Sequence, residues 1–177
     1  MNINFQCLIP TAFTNQSRVW IYQNNRPFTK PEILHIEKHL RNRVSEWEFQ
    51  DTMLQSSVSL LFEQFIIIMV DQPATEKSSF NAGNLIGLIK EIEHDLQVTL
   101  SDRQILAFII QDRIQLIPLT MVNDAIEKDL ITPETLYFNN TVLTKEELMT
   151  NWIIPLKDSW LSNRIPENVA IDDEFLY

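Results

Sequence analysis

Gly83 and Gly87 are the only two glycines in 177 residues. An average chain, at about 7% glycine, would carry roughly six times as many. Glycine lets a backbone turn sharply and lets N–H groups approach an anion with no Cβ in the way. The segment Gly83-Asn-Leu-Ile-Gly87 supplies neither G-x-G-x-x-G nor G-x-x-x-x-G-K-[ST]. A P-loop ATPase, a glycine-rich dinucleotide-binding domain and a glycine-rich kinase loop are therefore not expected.

The remaining bounds come from composition. A chain that is 45% hydrophobic, with ten Phe and four Trp, can bury a sizeable core, and its length suits one domain. A net charge of −10 leaves no basic face for phosphate contacts, so no nucleic-acid partner is expected. The local basic stripe of Lys38, Arg41 and Arg43 reads as a solvated helix face. Cys7 is the single cysteine, which excludes an intrachain disulfide; it reads as a buried, inert thiol. The first residues lack the charge and apolar pattern of a signal peptide, and the apolar run Phe65 to Val70 is too short to span a bilayer. A soluble, acidic, cytoplasmic protein with no membrane partner is the expectation.

Along the chain, residues 1–17 read as an N-terminal arm, 18–165 as one domain and 166–177 as an acidic tail. Arg18-Val-Trp-Ile-Tyr-Gln23 alternates as a strand. Thr29-Lys-Pro-Glu32 is a capping box, and Ile33, Ile36, Leu40, Val44 and Trp47 then predict an amphipathic helix over 30–49. Val58 to Asp71 reads as a long bent strand or a hairpin broken near Glu63-Gln64, with Phe65 to Val70 covered on both faces. Leu85, Leu88, Ile89, Ile92 and Leu96 mark a second amphipathic helix. Residues 105–110 and 114–119 predict a hairpin, and Thr120 to Asp129 a helix. Leu136 to Phe138 pairs with Val142-Leu143 in this reading, across Asn139-Asn140. Thr144 opens a short helix towards Trp152. Without regular βαβ spacing, the pattern predicts an α+β fold: a mainly antiparallel mixed sheet packed with two longer amphipathic helices.

Chemistry-bearing residues are sparse. His35 and His39 stand i, i+4, but Glu37 is one position late for the metalloprotease pattern and both rings read as solvent-facing. Neither a metal site nor a cofactor is indicated, and no catalytic constellation is assigned. A polar ligand site is conceivable around Asp71 at a strand end, Ser78 and Ser79 before a helix, and Asp102 with Arg103. Trp152 and Trp160 bracket Pro155 in an aromatic stretch that either straps the domain or meets a partner.

The chain resembles a family of small, uncharacterised bacterial proteins often labelled "ABC transporter ATPase". The resemblance covers about Arg18 to Trp160. It rests on Arg18 to Gln23, Phe65 to Asp71, Asp102-Arg103, Thr135 to Val142 and, most specifically, Trp152-Ile-Ile-Pro-Leu-Lys-Asp-Ser-Trp160. In that family a Gly-Cys-Ser-Ile-Asp motif follows the Asp71 strand; here Phe80 stands at the cysteine position, Gly83 at the aspartate position, and Gln72 where glutamate is usual. The resemblance implies no known activity, and the missing glycines contradict the ATPase label.

Two functions follow as expectations. One is a non-catalytic cytoplasmic binding or protein-interaction domain, a monomer or weak homodimer. The other is a small-ligand-binding protein or enzyme whose polar site gathers Asp71, Ser78, Ser79, Asp102 and Arg103.

Overall fold

Strand β5 (Phe65–Pro73) is the element round which the first half of the chain is built. Its residues Phe65 to Val70 are all at most 2% exposed, so both faces are covered, as the unbroken apolar run predicts. In the computed structural model, which describes residues 2–45, 48–49, 52–53, 55–73 and 82–166, the chain divides into two compact units. One comprises Met1–Arg103 with Asn140–Trp152, the other Gln104–Asn139 with Ile153–Tyr177. The fold is α+β, and every pairing between the described strands is antiparallel.

In the first unit, β1 (Ser17–Gln23), β5 and β4 (Ser56–Leu61) form a three-stranded sheet in the order β1-β5-β4. A separate two-stranded ribbon joins β2 (Glu48–Phe49) to β3 (Thr52–Met53). Period-2 alternation sends Trp20, Tyr22, Ile66, Ile68, Val70 and Val58 to one face. There they meet the apolar sides of α1 (Lys30–Val44) and α2 (Ala82–Leu96). On the opposite face Phe65 meets Trp152, and Phe5 and Phe62 complete an aromatic cluster round that indole. The arm before β1 is docked: Phe5, Ile9 and Phe13 are buried. Cys7 is corrected here, since it is exposed on a 3-10 turn (Gln6–Leu8).

Helix α1 begins at the Thr29 capping box, with Glu32 accepting from the Thr29 N–H at 2.7 Å. It ends at Val44, short of the residue 49 that periodicity suggested. Ser56 Oγ donates to the Val44 carbonyl at 3.0 Å and Ser45 Oγ to that of Asn42 at 2.9 Å, which satisfies carbonyls a longer helix would have bonded. Trp47 lies outside the described residues.

The second unit is a four-stranded sheet, β7-β6-β8-β9, built from β6 (Ile105–Ile110), β7 (Arg113–Pro118), β8 (Leu136–Phe138) and β9 (Ile153–Pro155). A short helix, α3 (Val122–Glu127), contributes Val122, Ala125 and Ile126 to its core with Phe108, Tyr137, Leu156 and Leu161. The expected pairing of Leu136–Phe138 with Val142-Leu143 is not formed; β8 lies between β6 and β9 instead. The Leu143 carbonyl accepts from the Val19 N–H at 2.9 Å, which caps the outer edge of β1. Helix α4 (Lys145–Asn151) follows, capped by Thr144 Oγ1, which accepts from the Glu147 N–H.

The scarcity of glycine leaves its mark at the turns. Phe62 and Glu63 between β4 and β5, and Gln111 and Asp112 between β6 and β7, all have φ between 48° and 59°. Both hairpins thus carry two successive left-handed residues without glycine. Helix α2 ends on Gln97 (φ 52°), with the Val98 N–H donating back to the Glu93 carbonyl, the cap geometry in which glycine is favoured. Asp129 does the same after α3. A left-handed L-residue costs about 1–2 kcal/mol, while Gly87 sits in a helix where an added Cβ would meet nothing within 4 Å. Gln97→Gly and Gly87→Ala are each expected to raise stability by about 0.5–1 kcal/mol in urea titrations. By contrast Trp152→Ala, which empties the centre of the aromatic cluster, should cost about 3–5 kcal/mol. Trp160→Ala should cost less than ~1.5 kcal/mol, because that ring is only half covered.

Candidate functional site

Polar side chains of the first unit gather at the two ends of β1. At its start, the sheet register shifts between Ser17 and Arg18, and Asp71 turns its carboxylate onto the incoming arm. Asp71 Oδ1 accepts from Ser17 Oγ at 2.6 Å, from Thr14 Oγ1 at 3.1 Å and from the Thr14 N–H at 3.4 Å. The Ser17 hydroxyl, followed by the bonds from Thr14 and the more distant Lys145 charge, holds the Asp71 carboxyl below its ordinary range. Lys145 is itself buried; its Nζ donates to the Phe13 carbonyl at 2.6 Å and reaches that of Thr11 at 3.5 Å. The Glu146 N–H adds a bond to the Asn15 carbonyl. Carboxylate and ammonium together fasten residues 11–17 to β5 and α4. A carboxylate so stabilised as the anion is poorly suited to general acid–base work near neutrality.

The far end of β1 is a cluster of amides. Asn140 Nδ2 donates to Gln23 Oε1 at 2.9 Å, and Asn140 Oδ1 accepts from the Trp152 indole N–H at 3.0 Å. The Asn24 N–H donates to the Gln64 carbonyl at 2.9 Å, and Gln64 Nε2 donates to the Asn24 carbonyl. Asn24 is fully buried; its Oδ1 accepts from the Asn25 N–H, while its Nδ2 has no acceptor among the described residues. Nearby Glu93 Oε1 accepts from the Leu100 and Ser101 N–H groups at 2.6 and 2.8 Å. Burial raises the Tyr22 phenol above its ordinary pKa, with opposing contributions from Arg103, which lowers it, and Glu93, which raises it. Amides neither give nor take protons in this range, and these bonds fix the backbone at the end of β1.

This arrangement settles where the sequence-derived site residues go. Arg103 Nη1 donates to the Asn140 carbonyl at 3.3 Å, which ties it to the Gln23 end of the strand. Asp71 is bonded at the Ser17 end. Ser17 and Gln23 are the termini of a seven-residue strand, roughly 20 Å apart at about 3.3 Å per residue. A single pocket shared by Asp71 and Arg103 is therefore not built. Asp102 is exposed, and Ser78 and Ser79 lie outside the described residues. The sequence reading passed over Gln23, Gln64, Asn140 and Lys145. The Asn139-Asn140 pair, expected only to form a turn, was the available signal.

His35 is exposed, as expected, whereas His39 departs from the expected solvent-facing geometry. His39 is half-buried, its Nε2 3.5 Å from Glu91 Oε2, with Arg43 3.7 Å from the same oxygen. The His35 ring stacks on His39 at 6.1 Å. Among the described residues no group of three or more His, Cys, Asp or Glu is placed to hold a metal, and no helix is long and apolar enough to cross a membrane.

The two C-terminal tryptophans part company. Trp152 is fully buried, with Phe5 at 4.7 Å, Phe65 at 5.3 Å and Phe62 at 5.8 Å between ring centroids. Trp160, in the second unit, is 48% exposed and donates its indole N–H to Tyr137 Oη at 3.1 Å. Comparison of the chain with protein-family models, curated proteins and solved structures finds no match.

Two carboxylates give these contacts a pH signature. Glu32, gripped by Arg26 through bonds of 2.6 and 2.9 Å and by the Thr29 N–H, is held down to about 2 from an ordinary 4.5. A depressed pKa means stability that is present above the ordinary value and lost as pH falls towards the folded one. Glu32→Gln and Asp71→Asn should each be less stable than wild type at pH 7, by about 1 kcal/mol. For Glu32→Gln the difference should close between pH 4.5 and about 2, and for Asp71→Asn it should close below 3.8. Urea midpoints taken across that range check both.

Proposed function

We propose that this chain is a non-catalytic cytoplasmic binding module whose partner is another protein, and that it is itself a monomer or a weak homodimer. The observation that carries this reading is the commitment of its ionisable groups to the chain itself. Asp71 is bonded to Thr14 and Ser17, Lys145 to the Phe13 and Thr11 carbonyls, Glu93 to two backbone N–H groups and Glu32 to Arg26. Each holds a loop, a cap or the arm. The half-exposed Trp160 supports the same reading: its indole N–H is already fixed by Tyr137, so a rigid ring is offered at the surface. Aromatic anchors of this kind are enriched in interface hot spots. The resemblance to the small bacterial family, proposed on the segments quoted above, brings no activity that would alter it.

The test has two arms. A screen across hydrolase and transferase substrates is expected to stay blank, and affinity capture with the purified chain should return one reproducible protein partner. Trp160→Ala should weaken that capture by more than about tenfold while the variant stays folded by circular dichroism. A robust turnover abolished by a single side-chain change would overturn the reading.

A further inference from the structure

We infer that the outer edge of β4 is a docking site for an extended segment of a partner protein, one that carries an aliphatic residue and a carboxylate two positions apart. The inference rests on the binding reading above and names a surface for it.

The two edges of the first unit's sheet are treated differently. The edge of β1 is closed by the Val19–Leu143 hydrogen bond and the Arg18–Thr144 bridge. β4 has β5 on one side and, among the described residues, no strand on the other. Alternate residues of such a strand point their N–H and C=O outward, a ready template for another strand. Natural edges are usually blunted by charge, proline or a bulge. β4 has none of these: its pairing with β5 runs unbroken from Ser56↔Val70 to Leu61↔Phe65, and no charged residue or proline occurs between Thr52 and Phe62.

A second, independent feature lies beside this edge. An open groove of about 260 Å³ runs between the last turn of α1 and the start of β4, lined by Arg41, Val44, Ser45, Ser56, Ser57 and Val58. It is smaller than the ~300–1,000 Å³ of typical small-molecule sites and suits individual side chains. Strand addition beside such a groove is a known mode of peptide recognition: main-chain bonds supply affinity, and pockets for alternate side chains supply specificity. Val44 and Val58, 2% and 4% exposed, form only the groove's aliphatic floor, and Ser45, Ser56 and Ser57 line the rest. Arg41 stands at the rim, 61% exposed and held only loosely by Glu37 at 3.8 Å. Lys38, three residues before Arg41, is on the same side of the helix, whereas Arg43 turns towards Glu91 of α2, 3.7 Å away. Side chains two apart on an added strand share a face, so one fills the groove while the other meets Arg41.

The probe is a fluorescein-labelled octapeptide with Val and Glu alternating at odd positions and Thr at even ones, titrated against the full chain by anisotropy. Saturable binding is expected, with hydrogen exchange slowed over Ser57 to Leu60. Replacing Glu by Lys in the peptide, or Arg41→Glu in the protein, should weaken binding by about fivefold or more, the equivalent of one exposed ion pair. N-methylating alternate peptide amides should abolish it, a control that needs no protein variant to fold. Absence of binding, unaltered exchange in β4, or equal affinity for the lysine peptide would overturn the proposal. So would β4 protection that rises with protein concentration in the absence of peptide, since that marks self-pairing. Any of these leaves the non-catalytic reading standing; enzymatic turnover would remove that reading on its own.

Discussion

Complete burial of β5 is the constraint on which the first unit depends. Six consecutive large apolar residues, Phe65 to Val70, can be hidden only if both faces of the sheet are covered. At about 1.5–3 kcal/mol per side chain, their burial contributes of order 10 kcal/mol. Two helices cover one face, and the aromatic cluster round Trp152 meets the other. The arm before β1 is drawn in because Phe5 completes that cluster. A segment with no periodicity of its own thus becomes core.

Polar groups then hold the covering elements in place. Asp71 and Lys145 fasten the arm, while the Gln23–Asn140–Trp152 chain of hydrogen bonds anchors the other end of β1. Buried donors and acceptors are costly when unpaired and modestly stabilising when paired. These networks therefore select one arrangement of the elements more than they add to its stability.

The backbone shows what it means to build turns without glycine. Phe62, Glu63, Gln97, Gln111, Asp112 and Asp129 all occupy left-handed conformations that bulky or branched-off side chains resist. Tertiary contacts offset that strain at some of these turns: Phe62 packs on Phe5 and Trp152, and the Glu63 carbonyl accepts from the Phe28 N–H. The glycines that do exist lie in α2, where Gly87 has open space around it.

The sequence by itself determined the element types wherever the signal was local. Apolar periodicity marked α1 and α2, the Thr29 and Thr144 caps marked two helix starts, and the unbroken run in β5 announced burial on both faces. Those signals act over a few residues, so they survive without knowledge of the fold. Tertiary structure alone decided which strand lies beside Leu136–Phe138, where α1 stops, that Asp71 faces Thr14 and Ser17, and that Arg103 belongs to the opposite end of β1. Each depends on a partner distant in sequence, such as Ser56 for Val44, 12 residues away, or Asn140 for Gln23, 117 residues away. A side chain's type shows which bonds it can make, but only the folded chain selects the partner within 3 Å.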